Sequence, residues 1–497
     1  MNEIKELREY FTEIKRLGYI GALLGWDQEV NMPNGSVKGR AEQIALIYSL
    51  IHKRLKSDKT GKLIKKAEKL SNLNVIDRAM IREAKREYDQ ATKLPDELVI
   101  EIARTSSLAT QVWREAREKN NFSLFQDLLE KTVELQNEKA ERLGTHPDLY
   151  STLIDLYEPG ATYEEINSVF TGIKPKLVDF VKQLSEKGEK PDRTILQKHY
   201  DGTKQWELSI KIIEKLNFDF NIGRQDKSTH PFTTSLSSMD VRITTRINEN
   251  DLAECIFGTI HECGHALYEM GFKEEIHDTL LADGCSMGIH ESQSRMWENI
   301  VGRSMEFWTY WYPTFQEYFP ENLKNYPMEE FYRSINVVEP SLIRVNADEV
   351  TYGLHIILRF EIEKALIDGK ITVKELPEVW NSKMEELLGI TPPNDKLGVL
   401  QDIHWSGGAI GYFPTYFLGN LYAAQFYKVA KEKIPNLNED FKKGDFTRLL
   451  KFLRENIHQY GKIYLANELI ERVTNEKLNP NYFMEYLNDK FKPIYKL

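Results

Sequence analysis

The feature that most constrains this chain is an H-E-x-x-H motif that begins at His261 and ends at His265. It lies in a stretch, 252–270, whose apolar residues recur at helical spacing. Residues four apart share one face of a helix, so the two imidazoles can bind the same metal ion. Glu262 is placed to reach a water molecule on that ion. The alternative is an ordinary core helix with two buried, hydrogen-bonded histidines, and the helical context favours the metal site.

Smaller features of this stretch predict its limits and its neighbours. Asn250 is expected to cap the start of the helix, and Gly271 to lie at its end. Gly258 and Gly264 lie inside it, where each glycine costs about 1 kcal/mol relative to alanine. That cost suggests that another backbone approaches closely at both positions. Cys263 points away from the face that carries the histidines, so we interpret it as a small buried residue and not as a ligand.

Composition excludes several classes of protein. The chain has 497 residues, 41% hydrophobic and 29% charged, as expected of a soluble protein with a large core. Its net charge of −10 argues against a sequence-independent nucleic-acid binder.

Three cysteines are too few for a disulfide framework and favour a reducing compartment. The charged N-terminus lacks the apolar core of a signal peptide, and the run 19–26 is too short to cross a bilayer. We therefore expect a cytoplasmic protein with neither a membrane nor a nucleic-acid partner.

Helical patterns cover most of the chain, and one β region interrupts them. A small sheet is predicted between 218 and 248 from two alternating runs, Phe218, Phe220 and Ile222, and Val241, Ile243 and Thr245. The β region leads directly into the metal motif, so residues 251–311 form the predicted metal-binding core. No linker rich in Gly, Ser or Pro divides the chain, and we expect residues 1–497 to form a single, mainly α domain.

A third metal ligand has to come from another part of the chain. A catalytic zinc site usually has three protein ligands and leaves one position for water. Glu291 lies on the next long helical segment, which can fold back antiparallel to the first. The alternative for Glu291 is an exposed carboxylate near a helix start, stabilised by the helix dipole. Three other carboxylates are rivals on position alone: Glu298, Glu269 and Glu254.

Seven short motifs follow one another from residue 230 onward. They are H-P-F at 230–232, D-x-R-x-T at 240–244, H-E-x-x-H at 261–265, H-E-S-Q at 290–293, I-R-x-x-A-D at 343–348, G-x-x-Q-D-x-H-W at 398–405 and G-Y-F-P-T-Y at 411–416. In this order the motifs resemble those of the carboxypeptidase Taq family, thermostable metallocarboxypeptidases of the H-E-x-x-H-plus-Glu type. The resemblance extends over most of the chain, and no position expected to carry chemistry departs from it.

The resemblance implies a fold, an assembly and a metal. The fold would be two helical lobes flanking a deep active-site groove, similar to angiotensin-converting enzyme and neurolysin, and members are typically homodimers. His261, His265 and Glu291 would hold one divalent ion per subunit. Zinc is the first expectation, and cobalt suits the same ligands.

The resemblance also implies roles in hydrolysis of a C-terminal peptide bond. Glu262 would be the general base towards a metal-activated water. Tyr412 and His404 are candidate donors to the oxyanion, by resemblance to related helical metallopeptidases. The alternative for both is packing, because an aromatic in a Gly-Tyr-Phe-Pro run commonly serves the core.

Recognition of a peptide with a free C-terminus is assigned to a second set of residues. The resemblance implies that Arg344 binds the carboxylate, a group that a guanidinium matches in shape and charge. Asp348 is expected to orient Arg344, although a simple i, i+4 ion pair explains the spacing equally well. His230 is expected to line the groove, and Gln401 is a weaker candidate for substrate contact. Asp240 and Arg242, on one face of a strand, are interpreted as support for the site.

Two other functions fit parts of this pattern. An oligopeptidase that cuts short peptides internally would use the same metal chemistry. A non-catalytic helical binding protein with a structural metal would need full ligation without water, whereas Glu262 and an open fourth position argue for catalysis.

Overall fold

The computed structural model describes residues 2–497 and is mainly helical, as the sequence predicts. The helices, in chain order, are α1 (Asn2–Val30), α2 (Val37–Leu55), α3 (Asp58–Ala67), α4 (Val75–Lys93), α5 (Asp96–Glu118), α6 (Ser123–Leu143), α7 (Leu149–Asp155), α8 (Tyr163–Lys187), α9 (Gly202–Lys215), α10 (Leu252–Glu269), α11 (Met287–Arg295), α12 (Met305–Tyr318), α13 (Pro320–Leu323), α14 (Met328–Ser334), α15 (Tyr352–Ile367), α16 (Leu376–Leu388), α17 (Pro414–Lys433), α18 (Leu437–Lys442), α19 (Thr447–Asn456), α20 (Ala466–Thr474) and α21 (Asn481–Ile494). Among the described residues, none of these helices is long and apolar enough to cross a membrane.

The chain forms two compact units, and each is built from three segments. The first unit contains the residues up to Thr92, with Asp192–Ile335 and Tyr422–Lys477. The second contains Lys93–Pro191, Asn336–Leu421 and Leu478–Leu497. In the first unit α10 packs against α9, α11 and the sheet; in the second, α15 is buried along most of its length and packs against α16 and α8. The assignment of the whole chain to one peptidase domain stays a prediction.

A three-stranded sheet lies in the first unit, inside the predicted β region. Its strands are β1 (Gly223–Lys227), β2 (Thr233–Ser237) and β3 (Asp240–Thr245), in the order β1-β3-β2. β1 pairs parallel and β2 antiparallel with the central β3. The strand predicted from Phe218 is wrong at its start, because β1 begins only at Gly223. Phe218 and Phe220 instead pack on each other before β1, with ring centroids 4.9 Å apart.

The ends of α10 differ by one residue from the prediction. Asp251, and not Asn250, caps the helix, and its carboxylate accepts a hydrogen bond from the Ala253 amide at 3.0 Å. The two side chains are nearly equal as caps, so composition does not separate them. Met270 closes the helix with right-handed geometry, and Gly271 follows it.

The two internal glycines of α10 have different surroundings. A Cβ at Gly264 would lie 2.7 Å from the backbone of both Gln293 and Ser294, so the predicted close approach is confirmed there and α11 supplies the backbone. A Cβ at Gly258 would meet no atom within 4 Å, so the same prediction is wrong at that position. Cys263 between the histidines is fully buried, as predicted.

These glycines give a matched pair of variants. Gly264→Ala is expected to lower the free energy of unfolding by about 1–3 kcal/mol, because α11 has to move away from α10. Gly258→Ala is expected to raise it by about 0.5–1 kcal/mol, because alanine favours the helix and has room. Denaturant unfolding of both variants measures the difference. Equal effects of the two substitutions would show that α10 and α11 are not in close contact.

Candidate metal centre

Three side chains of the first unit converge on one point. Nε2 of His261 lies 3.2 Å from Nε2 of His265, and Oε2 of Glu291 lies 3.7 and 3.5 Å from these two atoms. In a tetrahedral site with bonds of about 2.0–2.2 Å, the ligand atoms are roughly 3.3–3.6 Å apart. The arrangement therefore fits a single divalent ion with these three ligands and a fourth position left open. The rivals Glu298, Glu269 and Glu254 do not belong to this cluster.

The chain folds locally so that two helices supply the three candidate ligands. α10 presents His261 and His265 four residues apart on one face. The absence of a side chain at Gly264 lets the backbone of α11 approach α10, which brings Glu291 opposite the histidines. On the other side, Arg295 donates from Nε to Oε1 of Glu291 at 2.7 Å, so Oε2 is the oxygen left towards the histidines.

Hydrogen bonds to Nδ1 fix the ring orientation of both histidines. With Nδ1 protonated, His261 donates to Oε2 of Glu298 at 2.8 Å, and His265 donates to the carbonyl oxygen of His290 at 3.1 Å. Both rings therefore direct Nε2 towards the cluster, as zinc-binding histidines commonly do. Glu298 lies in a π-helical stretch, Met296–Val301, that continues α11. π-Helical turns are frequent at functional sites.

The charge states of Glu298 and His265 suit a metal site. Burial opposes ionisation of Glu298, but the hydrogen bond from His261 and the charge of Arg295 lower its pKa to about 2. Glu298 is thus an anion that holds the Nδ1 proton of His261. Burial, together with His290 and His261, keeps the pKa of His265 well below its ordinary value. His265 is therefore neutral, the state in which imidazole binds a metal.

Glu262 is buried beside the cluster, where it is held by the sheet. Its Oε2 accepts a hydrogen bond at 2.7 Å from the hydroxyl of Thr233, at the start of β2. Burial raises the pKa of Glu262 above its ordinary value, against the opposing effects of His261 and Thr233. A carboxylate with a raised pKa is a stronger base than one in water, which suits proton transfer from a water molecule.

Other residues of the sheet that carries Thr233 form a network of their own. Asp240 and Arg242 make a two-pronged ion pair at 2.8–2.9 Å, and the guanidinium of Arg242 lies 4.2 Å from the ring centre of Trp26 on α1. The hydroxyl of Thr244 accepts from the Phe232 amide at 3.0 Å. These contacts support the interpretation of Asp240 and Arg242 as structural. His230 is exposed, and its carbonyl oxygen accepts from Ser228.

Arg344 lies in the second unit, in a buried ion-pair cluster. Its Nε and Nη2 donate to Asp402 at 3.1 and 2.8 Å, and its Nη1 donates to the Tyr352 hydroxyl at 3.0 Å. Arg359 also donates to Asp402, with Nε at 2.8 Å and Nη2 at 2.6 Å. Burial opposes ionisation of Asp402, but these two guanidiniums lower its pKa. Two cations share one carboxylate, so the trio carries a net charge of about +1.

Asp348, predicted to orient Arg344, and Gln401, a weaker candidate for substrate contact, make other contacts in the structure. Asp348 does not orient Arg344, because its carboxylate accepts from the Glu339, Val350 and Thr351 amides at 2.9–3.0 Å. Gln401 uses both ends of its amide inside the protein, accepting from Arg344 N and Arg359 Nη2 and donating to the Leu342 carbonyl. Gln401 therefore supports the cluster, and direct substrate contact would require it to break these bonds.

His404 and Tyr412 are neighbours in the second unit. Their rings stack with centroids 5.6 Å apart at an angle of 29°. Burial lowers the pKa of His404 to about 4, so its imidazole is neutral at pH 7. Nδ1 of His404 is buried without a hydrogen-bond partner, 3.8 Å from Oδ1 of Asp402. Both rings pack among aromatic side chains, and Nε2 of His404 lies 3.4 Å from the Tyr416 hydroxyl.

Several residues of these clusters have no signal in the sequence. Arg359 and Glu363 are buried charges on α15, and their side-chain partners Asp402 and Trp405 lie 40 or more positions away along the chain. Thr233 is an ordinary strand residue until the fold brings it to Glu262. Asp402 did carry a signal, because it stands inside the G-x-x-Q-D-x-H-W motif.

Comparison with known proteins shows which family the chain belongs to. Residues 6–491 match the family described as Carboxypeptidase Taq (M32) metallopeptidase. Carboxypeptidase 1 of Bacillus subtilis is 40% identical over 99% of both chains, and thermostable carboxypeptidase 1 of Pyrococcus furiosus is 40% identical over 98% of both. The crystal structure of the M32 carboxypeptidase from Deinococcus radiodurans covers 100% of both chains with a TM-score of 0.97 and 38% identity. Since a match of this extent includes every motif discussed above, the chain belongs to the carboxypeptidase Taq family of metallopeptidases and is a peptide hydrolase of the metallocarboxypeptidase class.

Proposed function

We propose that the protein removes single residues from the free C-terminus of peptides, with a metal held by His261, His265 and Glu291. The observation that carries this proposal is the fit of three ligand atoms to one tetrahedral ion beside the buried carboxylate of Glu262. Zinc suits two imidazoles and one carboxylate, and cobalt suits the same set. When bound, the ion would polarise the scissile carbonyl and lower the pKa of a water molecule to about 7.

The proton steps belong to residues of this chain. Glu262 takes a proton from the attacking water and passes it to the amine that leaves. The hydroxyl of Thr233, 2.7 Å from Oε2 of Glu262, holds the carboxylate in one orientation during the transfer. Tyr412 and His404 are proposed to donate hydrogen bonds to the oxyanion of the tetrahedral intermediate. His404 can do so as a neutral imidazole with its proton on Nε2, because Nδ1 is buried near Asp402.

The charge of the Arg344 cluster supports recognition of a carboxylate. Arg344 and Arg359 share Asp402, so the three side chains carry one buried positive charge in excess, and Glu363 is a further carboxylate that interacts with Arg359. A substrate carboxylate would neutralise that excess charge, and a buried charge gains more from such a partner than an exposed one. Arg344 is the proposed contact, with Arg359 and Gln401 as its supports. His230, exposed beside β2, is proposed to line the path of the peptide.

A timed assay of amino-acid release tests the function directly. Peptides of mixed sequence should lose residues one at a time from the C-terminus, and C-terminal amidation should slow the release. Metal analysis of the same sample should find one divalent ion per chain, and chelation should abolish activity. Internal fragments as first products would support an oligopeptidase instead, a reading that the family match does not favour.

Glu298 gives a prediction that concerns metal affinity alone. Glu298→Gln removes the anion that holds the Nδ1 proton of His261, so the dissociation constant for zinc is expected to rise about 10–100-fold. Competition with a chromophoric chelator measures it. Glu317→Gln, an exposed carboxylate on α12, is the control and should leave the affinity unchanged. Unchanged affinity in Glu298→Gln would exclude this residue from the support of the ligand.

Assembly and location complete the proposal. We propose a cytoplasmic homodimer whose whole chain acts as one peptidase. The three cysteines are buried free thiols, which agrees with a reducing compartment. Light scattering coupled to gel filtration distinguishes a dimer of this 58.0 kDa chain from a monomer.

A further inference from the structure

One buried carboxylate in the second unit joins three separate segments. Glu363 on α15 is fully buried. Its Oε2 accepts from the Tyr150 hydroxyl at 2.8 Å and from the Gly411 amide at 2.9 Å, and its Oε1 accepts from Nε1 of Trp405 at 2.8 Å. Tyr150 belongs to α7, Trp405 to the 3₁₀ turn His404–Gly407, and Gly411 to the loop before α17. All three bonds are well formed and within the normal range.

Two of the three donors are direct neighbours of the proposed oxyanion donors. Trp405 follows His404 in the chain, and Gly411 precedes Tyr412. The rings of His404 and Tyr412 then stack on each other. Glu363 therefore holds the backbone amide of the residue before Tyr412 and the indole ring of the residue after His404.

The conformation of Gly411 shows how closely the loop is held. Its φ of +87° is one that residues with a side chain rarely adopt. A Cβ there would lie 2.7 Å from the carbonyl carbon of Leu153 and 2.8 Å from the amide nitrogen of Ile154. The loop is thus pressed against the backbone of α7, the helix that carries Tyr150, and its amide is directed at Glu363.

The hydrogen-bond pattern favours the ionised form of Glu363, since only that form accepts from all three donors at once. An ionised carboxylate only accepts, so it satisfies all three donors, whereas a carboxylic acid has to donate one hydrogen. Burial raises the pKa of Glu363 to about 7, against the three hydrogen bonds and the charge of Arg359. The other titratable groups that face it are Tyr150 and Tyr157, whose own pKa values are raised by burial.

We propose that Glu363 is a positioning residue for hydrolysis: by binding Trp405 and Gly411 it holds His404 and Tyr412 in the arrangement that meets the oxyanion. This inference rests on the proposed role of those two residues. It concerns the second unit alone and needs no contact between Glu363 and the substrate.

Kinetics of Glu363→Gln provide the first test. Glutamine keeps the size of the side chain but presents an NH2 group to the donors, so kcat is expected to fall about 10–100-fold while KM changes less than about 3-fold. Metal content should stay at the wild-type value. The matched control is Glu361→Gln on the same helix, where the carboxylate pairs with Lys174 and Lys383 at the surface. Unchanged kcat in folded Glu363→Gln overturns the proposal.

A spectroscopic test is independent of peptidase activity. The indole ¹⁵N–¹H signal of Trp405, assigned with Trp405→Phe, should move with pH around a midpoint near 7 and should stop doing so in Glu363→Gln. If that variant does not fold, Tyr150→Phe removes one donor and keeps the ring, and a smaller fall in kcat is expected. Unchanged kcat in Tyr150→Phe, together with a Trp405 signal that does not titrate, overturns the proposal. A wild-type enzyme that titrates normally but releases no amino acids would refute the proposed function alone.

Discussion

Glu262→Gln is expected to keep its metal and lose nearly all hydrolysis. General acid–base catalysis by a positioned group contributes about 10²–10⁴-fold, so kcat/KM should fall by about 10³-fold. Glutamine can still accept the hydrogen bond from Thr233, so the site keeps its shape while losing the base. Initial rates on a peptide with a free C-terminus measure the loss, and metal analysis checks occupancy.

The control for this variant lies on the same helix. Glu254 is bonded to Asn248 and paired with Arg246, away from the ligand cluster. Glu254→Gln should therefore retain full activity. Turnover by Glu262→Gln within about 10-fold of wild type would remove the general base from the mechanism.

Arg344→Ala has the second largest expected effect, and the effect depends on the substrate. Hydrolysis of peptides with a free C-terminus should fall by about 10²-fold or more, because the charge of the Arg344–Asp402–Arg359 trio drops from net positive to neutral. C-terminally amidated peptides present no carboxylate and should be affected much less. Rates on a matched pair of free and amidated peptides give the ratio.

The fold is expected to tolerate this change. Asp402 keeps two hydrogen bonds from Arg359, so removal of Arg344 leaves no unpaired buried carboxylate. Arg344→Lys should lie between wild type and Arg344→Ala, because it keeps the charge and loses the two-pronged geometry. An equal loss on free and amidated peptides would refute recognition of the chain end by Arg344.

Local spacing predicted the two histidines of the candidate site because their geometry is local. The helical period alone predicts that His261 and His265 share one face with Glu262 beside them. Spacing did not distinguish Glu291 from Glu298 as the third ligand, and the resemblance was needed to choose between them. The helix that contains Glu291 continues as the π-helical stretch Met296–Val301, so simple α-helical spacing misplaces the residues that follow.

The Arg344 cluster shows where local spacing fails. An i, i+4 contact between Arg344 and Asp348 requires a continuous α-helix, but the chain forms only the 3₁₀ turn Arg344–Asn346 and then becomes extended at Ala347. Asp348 consequently caps the turn that leads into α15, and the true partner, Asp402, comes from a distant segment. Buried ion pairs of this kind are decided by tertiary packing, which composition and periodicity do not encode.

The π-helical stretch Met296–Val301 has a consequence for how this chain can vary. Glu298 reaches His261 from within a turn that is one residue wider than an α-helical turn. Deleting a single residue there would restore the α-helical turn and rotate the following side chains by about 100° around the helix axis. A substitution in the stretch keeps the path of the backbone, whereas an insertion or deletion between Glu291 and Glu298 changes the direction in which Glu298 points. The number of residues between Glu291 and Glu298 is therefore under stronger constraint than their identity, and length variation among functional relatives should be confined to other segments.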